Sequence, residues 1–395
     1  MISISKLLCD LDAEGDGLRY DAAGESAKPQ ITDHKQRRPV VVWNLTKQCN
    51  LSCSHCYAAA DTETADGELT TEEGKRVLDD LADYGVPVVL FSGGEPLVRD
   101  DLPELIEYAD ASGIRPVLST NGTLITPDIA RELREAGLKY AGISVDGLPE
   151  RNDAFRGQDG AFDAAVRGIR ACLDAGLKTG LRYTITERNA ADLPAVVALL
   201  HDEGVDRFCF YHLDYGGRGA GIVDTDLSPE EKRAAVKQLC DLTRRYHDHD
   251  DEIETLLVGN YTDAAYLVEY AREHLSEANA ERINDYLRRN GGDPTGERVA
   301  DIDYQGNVHL TQFWQNYSLG NVRDRPFSAL WDDESNPLLR ALRNREQRLS
   351  GRCADCQYQN ICRGASRLRA LAVHDDPFAP DPQCYLREDE IAPTV

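Results

Sequence analysis

The chain has 395 residues, of which 41% are hydrophobic, and this length allows one large domain with a smaller one or two ordinary domains. A formal charge of −25, from 69 acidic and 44 basic residues, argues against binding to nucleic acid or to anionic membranes. No apolar run approaches the roughly 18–20 residues that span a membrane, and the N-terminus meets acidic residues too early for a signal peptide. We therefore expect a cytoplasmic protein without a membrane or nucleic-acid partner.

Six short apolar or β-branched runs follow an N-terminal extension, which we place at residues 1–38. The runs lie at 40–45, 86–91, 115–120, 140–145, 181–186 and 207–213. The stretches between them carry helix signals, such as the cap residue Thr70 and the terminal Gly85 of TTEEGKRVLDDLADYG. Regular strand–helix alternation predicts a parallel sheet covered by helices over residues 39–227.

Unusual residues follow each of the six predicted strands. The list in chain order is Cys49, SGGEP (92–96), STNG (119–122), SVDG (144–147), Thr186 with Asn189, and DYGGRG (214–219). Glycine, asparagine and aspartate are common wherever a chain turns, but turning does not require cysteines. Because barrel-type sheets build their sites at the carboxyl ends of the strands, we expect these residues to surround one site.

The alternation stops near residue 228, and residues 228–295 read as an acidic, helical connecting region. The sequence NGGDPTG at 290–296 is typical of a linker. Beyond it a short β-like segment at 298–314 precedes a group of cysteines. We predict a second domain at residues 296–395.

The cysteines fall into two groups that differ in number. Eleven is an odd count, so a complete disulfide framework is impossible, and clustering in a cytosolic chain favours metal or redox chemistry. Cys172 and Cys240 fit apolar helix positions and are predicted to be small core residues. The grouped cysteines are Cys49, Cys53 and Cys56 in one set and Cys353, Cys356, Cys362 and Cys384 in the other.

The first group, CNLSCSHC, offers three thiols with Cys-x3-Cys-x2-Cys spacing and no fourth nearby. A structural zinc ion takes four ligands, whereas a 4Fe–4S cluster takes one protein ligand for each iron. Three thiolates would leave one iron without a protein ligand, so this iron could bind another molecule. A zinc site is the alternative for these residues.

This loop and SGGEP resemble the signature motifs of radical S-adenosylmethionine (SAM) enzymes, in which an aromatic residue precedes the last cysteine. His55 stands at that position here. The resemblance implies a partial (β/α)6 TIM-like barrel and a cluster whose open iron chelates the amino and carboxylate groups of SAM. An electron from the cluster would then cleave SAM to a 5′-deoxyadenosyl radical, and an external low-potential donor of the ferredoxin or flavodoxin type would supply that electron.

The same resemblance implies the residues that hold SAM. The backbone of Gly93 and Gly94, together with Glu95, would contact the methionine amino group, which agrees with the close approach that glycine allows and with the charge of a carboxylate. Ser144 and Arg156 would hold the ribose and the carboxylate of SAM.

The second group of cysteines resembles the SPASM or shorter Twitch extensions of radical SAM enzymes. Its spacing alone allows zinc or a cluster. The full SPASM pattern has seven cysteines for two clusters, and here Ser366 and Thr311 stand where the family has two of them. The resemblance implies one auxiliary 4Fe–4S cluster held by the four remaining cysteines, which makes two clusters in the chain.

The segments at 1–20, 306–331 and 367–386 resemble radical SAM enzymes that modify tetrapyrroles. Within that group the N-terminal stretch favours removal of two acetate side chains from 12,18-didecarboxysiroheme to give Fe-coproporphyrin III; enzymes of heme and heme d1 formation are relatives. Such an anionic substrate requires guanidinium partners. The candidates are Arg182 and Arg218 at the mouth of the barrel and Arg363, Arg367 and Arg369 near the auxiliary cluster.

Several alternatives remain open at this stage. His212 or His309 would serve as a ligand of substrate iron, although a hydrogen-bonded structural histidine is the favoured interpretation of each. A peptide-modifying enzyme would usually carry a longer N-terminal region, and a plain iron–sulfur electron carrier would not need SGGEP. The acidic composition is typical of a halophilic archaeon, or of an ordinary acidic protein from an arginine-biased genome.

Overall fold

The computed structural model describes residues 1–20, 37–249 and 252–392. Part of the predicted N-terminal extension therefore lies outside the described residues. The strands of the described chain are β1 (Ile2–Ser3), β2 (Val40–Asn44), β3 (Val88–Ser92), β4 (Arg115–Thr120), β5 (Tyr140–Ser144), β6 (Thr179–Ile185), β7 (Arg207–His212), β8 (Glu254–Val258), β9 (Val299–Ile302), β10 (Asn307–His309) and β11 (Ser318–Asn321).

The α-helices cover one face of the sheet and both flanks. In the described residues they are α1 (Ile4–Cys9), α2 (Asp16–Tyr20), α3 (Thr71–Tyr84), α4 (Leu102–Ala111), α5 (Pro127–Glu135), α6 (Pro149–Arg156), α7 (Ala161–Asp174), α8 (Leu193–Glu203), α9 (Pro229–His247), α10 (Thr262–His274), α11 (Glu277–Asn290), α12 (Phe327–Trp331), α13 (Pro337–Arg343), α14 (Gln359–Cys362), α15 (Arg367–His374) and α16 (Glu388–Ile391).

All six predicted strands are present, as β2 to β7, and neighbours along the chain pair in parallel. Inward-facing residues of all six strands line a single cleft, so the sheet curves around it as a partial barrel. The prediction of a partial radical SAM-type barrel is confirmed in its strands and their order. The lining residues that show this are Val42, Leu90, Ser119, Ser144, Arg182 and Tyr211.

The prediction that residues 228–295 are helical is wrong in one respect, because this region contains a strand. β8 pairs in parallel with β7 and extends the barrel sheet beyond the six predicted strands. Its sequence ETLLV is short and follows the 19-residue helix α9, so the surrounding helix signals hid it. β1 then pairs antiparallel with β8, which ties the start of the chain to this edge.

The C-terminal region continues the same sheet at the opposite edge. β9 pairs in parallel with β2, and β10 and β11 follow as an antiparallel meander. The strand order is β1-β8-β7-β6-β5-β4-β3-β2-β9-β10-β11. The domain limits drawn from the sequence stay predictions, since a single sheet crosses the limit at residue 296.

The local sequence explains the helices that flank the barrel. Thr70 and Glu73 form a reciprocal capping box at the start of α3, and Gly85 ends the helix in a left-handed conformation. The inner face of α3 buries Val77, Leu78 and Leu81 against the sheet, and each such side chain contributes roughly 1.5–3 kcal/mol. Cys172 and Cys240 are fully buried in α7 and α9, as predicted. In the part of the chain that is described, no helix is long and apolar enough to cross a membrane.

Candidate active site

A cleft opens at the carboxyl ends of the parallel strands. It brings together most of the residues that the sequence singled out, from five separate loops. The C-terminal region closes one side of the cleft with Gln312 and Phe313. The predicted site residues that line it are Cys49, Cys53, Cys56, Gly93, Gly94, Ser144 and Arg156.

The three-cysteine loop is held by backbone contacts and by one arginine. The Cys49 amide donates to the Asp61 carbonyl at 2.7 Å, and the Ser54 amide donates to the Phe155 carbonyl at 3.0 Å. Arg218 Nε donates to the Cys53 carbonyl at 2.8 Å, while its Nη1 binds a second carbonyl further along the loop. The loop is therefore shaped before any cofactor binds.

The thiols of this loop fit an iron–sulfur cluster. Burial raises the pKa of Cys49 to about 12 and also raises that of Cys53, which the Arg156 guanidinium partly offsets. Such thiols become thiolates only when a cation replaces the proton. Among the described residues no three histidine, cysteine or acidic side chains come close enough to share one metal ion. A 4Fe–4S cluster does not require that convergence, because each thiolate binds its own iron.

The glycines of SGGEP allow two backbone segments to pass each other. A Cβ on Gly94 would lie 2.0 Å from the Gln48 carbonyl oxygen, and Gly93 has a φ of +136°. The Gly94 and Glu95 amides donate to carbonyls of the segment that leads into the cysteine loop, at 2.7 and 2.8 Å. The motif thus fixes the entry of the cysteine loop and leaves its own backbone on the wall of the cleft.

Glu95 has a different environment from the one expected for a direct SAM ligand. It is fully buried, and it is absent from the residues that line the cleft. Its carboxylate accepts hydrogen bonds from Thr120 Oγ1 at 2.7 Å and from the Asn121 and Leu97 amides at 2.8 and 3.2 Å. The side chain therefore ties the loop after β3 to the loop after β4. Contact of Glu95 with SAM stays a prediction.

Ser144 and Arg156 both line the cleft, and their contacts with SAM stay predictions. Arg156 Nη1 lies 3.7 Å from the Cys53 sulfur, and the guanidinium pairs with Asp146, whose side chain is almost completely buried. His55, at the aromatic position of the family motif, stacks on Phe155 with ring centroids 4.3 Å apart. The sequence did not single out Asp146 except as part of a turn.

The four C-terminal cysteines come together although they lie on separate short elements. Burial raises the pKa of Cys353 to about 11 and that of Cys362 well above its ordinary value. The thiols of Cys384, Cys353 and Cys356 each raise the pKa of Cys362 further, which places all four in one neighbourhood. Four thiols in one place fit a cluster with a thiolate on every iron.

At two positions where the family has cysteines, this chain has other residues that pack inside the protein. Thr311 and Ser366 are both buried, and Ser366 accepts a hydrogen bond from the Arg369 amide at the start of α15. Their chain neighbours Leu310 and Leu368 belong to an apolar cluster with Trp314. A second auxiliary cluster has no thiol ligands at these two positions.

The arginines that were expected to bind substrate divide into two sets. Arg182 and Arg218 line the cleft. The three near the auxiliary cysteines are not among the residues that line it, and their guanidinium groups bind groups inside the protein, so substrate binding by them stays a prediction. Arg363 pairs with Glu297 and Glu346, Arg369 pairs with Asp381, and Arg367 binds the carbonyls of Pro377 and Ala379.

Both candidate histidines have protein partners. His212 Nε2 lies 2.9 Å from Asp263 Oδ2, and His309 contacts Asp303 at 3.2 Å and the Tyr317 carbonyl at 2.8 Å. The favoured interpretation of each as a hydrogen-bonded structural residue agrees with these contacts.

Sequence reasoning missed Asp214 and Phe313 as individual residues of the cleft. Asp214 lies in the flagged DYGGRG loop, and burial raises its pKa to about 6. Phe313 contacts Tyr57 edge to face at 5.2 Å. The only signal for Asp214 was its position after a strand, and no local pattern marks Phe313, because it reaches the cleft from the far end of the chain.

Comparison with known proteins agrees with this architecture. The model of the radical SAM superfamily matches residues 43–200, and that of an iron–sulfur cluster-binding domain, SPASM, matches residues 294–357. A Fe-coproporphyrin III synthase of Methanosarcina barkeri is 47% identical and covers 99% of each chain. A pre-heme d1 synthase of Dinoroseobacter shibae is 41% identical over 89% of this chain and 87% of its own.

Among solved structures, Streptococcus suis SuiB bound to S-adenosylmethionine superimposes with a TM-score of 0.69 at 18% identity, over 89% of this chain and 78% of that one. This likeness concerns the fold alone. The chain belongs to the radical SAM superfamily, carries a SPASM-type region at its C-terminus, and is a radical SAM enzyme. The predictions of SAM and of iron–sulfur clusters as cofactors are confirmed at that level.

Proposed function

We propose that the enzyme removes two acetate side chains from 12,18-didecarboxysiroheme and releases Fe-coproporphyrin III. The observation that carries this proposal is the likeness to the Fe-coproporphyrin III synthase, which spans both chains almost completely. The pre-heme d1 synthase is less similar and aligns over a smaller share of the chain. A related tetrapyrrole reaction is therefore the second candidate.

The charges in the cleft support an anionic substrate. Arg182 lies over the Tyr211 ring at 4.9 Å and donates to its hydroxyl, while Arg218 binds two carbonyls. In the described part of the chain these contacts are with a hydroxyl, an aromatic ring and backbone carbonyls, and no carboxylate pairs with either guanidinium, in a protein whose formal charge is −25. Guanidinium groups left without carboxylates inside a cleft suit the carboxylates of a ligand.

The space for Arg182 is built into the sheet. Ser144 on β5 pairs with Arg182 on β6, and a Cβ on Gly142 would lie 2.9 Å from the Arg182 Cδ atom. A larger residue at position 142 would push the guanidinium away from the cleft. The aromatic pair of Tyr57 and Phe313 adds an apolar wall suited to a flat macrocycle.

The resident cofactors would be SAM and two 4Fe–4S clusters, one on Cys49, Cys53 and Cys56 and one on the four C-terminal cysteines. When bound and reduced by an external low-potential donor, of the ferredoxin or flavodoxin type, the first cluster and SAM supply a 5′-deoxyadenosyl radical that takes hydrogen from unactivated carbon. Gly93, Gly94, Ser144 and Arg156 would orient SAM, and Arg182 and Arg218 would orient the carboxylates of the substrate.

The test is an anaerobic incubation of the reconstituted enzyme with SAM, a reductant and 12,18-didecarboxysiroheme, read by product mass. Loss of two acetate groups supports the proposal. If this substrate is unchanged and the enzyme instead converts Fe-coproporphyrin III to heme or forms a heme d1 precursor, the proposed reaction is wrong. The enzyme would then catalyse the reaction of one of its relatives.

Two variants test whether Arg182 in the cleft binds the tetrapyrrole. Arg182→Gln removes the guanidinium, and we expect the KM for the tetrapyrrole to rise about 10- to 100-fold, as for loss of a hydrogen bond to a charged group. Arg131→Gln is the matched control, because Arg131 is an exposed arginine of α5 that pairs with Asp128. An unchanged KM in Arg182→Gln would contradict the assigned role of this arginine.

A further inference from the structure

One wall of the cleft is joined by buried polar contacts to the residues around Cys384. The cleft wall is the segment 212–215, whose His212, Leu213 and Asp214 line the cleft. The partner is the segment 381–385, which contains the auxiliary ligand Cys384. Three separate contacts join these two segments, and each passes through side chains that are buried or nearly so.

The first contact runs through Asp263 on α10. His212 Nε2 lies 2.9 Å from one oxygen of the Asp263 carboxylate. The Tyr385 hydroxyl donates to the other oxygen at 2.6 Å. The side chains of His212 and Asp263 are both 0% exposed. One carboxylate therefore holds the end of β7 and the residue next to Cys384 together.

The second contact is an ion pair. Arg369 donates to Asp381 at 2.7 and 3.0 Å and also to the Leu213 carbonyl at 3.3 Å. The Cys384 amide donates to the Asp381 carbonyl at 3.0 Å. The two charged side chains are 0% and 1% exposed, so water does not screen the pair.

The third contact is neutral. Gln383 Nε2 donates to the Tyr215 hydroxyl at 2.8 Å, and that hydroxyl donates to Asp226 at 2.9 Å. Lys232, whose side chain is fully buried, pairs with the same carboxylate at 2.6 Å. The segment 212–215 is thus fixed at three points to the chain on both sides of Cys384.

Buried ion pairs add little net stability, because desolvation offsets their attraction, but removing one partner is costly. The one ion pair and the two hydrogen-bonded contacts between the same two segments fix a relative position more than they stabilise the fold. A displacement of Cys384 must then move the wall of the cleft, or break one of these contacts.

We propose that the Asp263 and Arg369–Asp381 contacts couple the auxiliary cluster to substrate binding, with Asp263, Tyr385, Arg369 and Asp381 as positioning residues. This inference rests on the proposed function, since it takes the tetrapyrrole as the substrate. Coupling between two sites is reciprocal. Substrate in the cleft therefore perturbs the auxiliary cluster, and a break in the contacts weakens substrate binding.

The test uses the full-length enzyme with both clusters, reduced, and titrated with ferrous 12,18-didecarboxysiroheme. The auxiliary cluster is followed by the component of the EPR spectrum that SAM alone leaves unchanged, and affinity is followed by absorbance. Tyr385→Phe removes only the hydroxyl that binds Asp263. Tyr270→Phe is the matched control, because it removes a hydroxyl that donates to Asp241 at 2.6 Å from the same helix as Asp263.

In the wild type and in Tyr270→Phe we expect substrate to shift the auxiliary signal. In Tyr385→Phe we expect the shift to vanish and the affinity to fall about fivefold, the low end for coupled sites. Asp263→Asn keeps the shape of the side chain, and we expect it to behave as Tyr385→Phe does. This second variant keeps the test decisive if Tyr385→Phe does not fold.

The two proposals fail differently. If the wild type does not bind the tetrapyrrole, the proposed function is overturned and this inference with it. If the wild type binds it but the auxiliary signal does not move, or moves equally in Tyr385→Phe and Asp263→Asn, only the coupling is overturned.

Discussion

The two cysteine regions are predicted to offer the same ligand atom, sulfur, from different surroundings. Cys49, Cys53 and Cys56 lie on one loop at the wall of an open cleft, beside Arg156 and the backbone of SGGEP. The four C-terminal cysteines come from separate short elements, and the arginines nearby are all engaged by carboxylates and carbonyls.

This difference separates a reactive site from a closed one. Where three thiols face a cleft, the fourth coordination position is accessible to a small molecule. Where four thiols come together, every iron of a four-iron cluster has a thiolate, and no position is left for an exogenous ligand. The number of thiols and their access to the cleft therefore predict the same assignment for each region.

Removing the thiols is the most severe test of this comparison. Replacing Cys49, Cys53 and Cys56 by Ala should lower the iron content from about eight to about four per chain, since one of two four-iron clusters is lost. Reductive cleavage of SAM should fall by more than about 100-fold, beyond the usual cost of changes outside the ligand set. Iron analysis and 5′-deoxyadenosine assays measure both effects.

Replacing Cys353, Cys356 and Cys362 by Ala is the matched experiment for the other region. We expect a similar loss of iron, but SAM should still be cleaved in the absence of substrate. If circular dichroism shows that this variant is folded and yet it cleaves no SAM, the N-terminal cysteines are not sufficient for SAM cleavage. The separate roles assigned to the two regions would then be wrong.

Gly94→Ala should produce the next largest effect. A Cβ would lie 2.0 Å from the Gln48 carbonyl oxygen, so the segment entering the cysteine loop must move. We expect loss of the N-terminal cluster with retention of the C-terminal one, measured as about four irons per chain. Gly221→Ala is the control, because no atom lies within 4 Å of a Cβ there.

Glu95→Gln distinguishes a loop organiser from a cofactor ligand. The carboxylate accepts three hydrogen bonds inside the fold, and an amide group cannot accept all of them. We expect unfolding to be easier by about 1–3 kcal/mol with little change in the Kd for SAM. A large rise in Kd at unchanged Tm would instead show that Glu95 contacts SAM directly.

Asp301 gives an effect that depends on pH, and it lies where the strands of the barrel meet the strands of the C-terminal region. Its carboxylate accepts a hydrogen bond from Asn44 across the β2–β9 junction at 2.9 Å, and burial raises its pKa to about 8. Between about pH 4, where the unfolded aspartate ionises, and about pH 8, the folded chain keeps the proton. Stability is therefore full at the acidic end and falls as pH rises, by up to about 1.4 kcal/mol per pH unit.

Asp301→Asn should remove that decline, because the amide does not ionise. The Tm difference between Asp301→Asn and the wild type should grow from pH 5 to pH 8 and then level off. A constant difference across this range would mean that Asp301 is ionised in the folded protein.

Much of the barrel could be predicted because its signals are local. Each strand of β2 to β7 is a short apolar run, and some of the following helices carry side-chain caps, such as Thr70 of α3 and Thr126 of α5, so local signals located them. β8 was missed because five residues after a long helix carry too little pattern to outweigh it.

Some site residues could also be recognised from local sequence, and others could not. The spacing of the cysteines and the glycines of SGGEP are properties of one segment of chain, and they identified the cleft before the fold was known. The partners of Glu95, Arg363 and Arg369 come from distant segments, so the sequence could not distinguish a guanidinium that faces a ligand from one that an internal carboxylate already holds.

The amino-acid sequence by itself determined strands β2 to β7 and their order, and it predicted the ligand sets of two clusters and the loop that carries the incomplete one. Only the tertiary structure decided which charges stay unpaired in the cleft and how the segment 212–215 meets the chain around Cys384. The physical reason is that ligand spacing and helix caps depend on neighbours along the chain. Pairing and burial depend on neighbours in space.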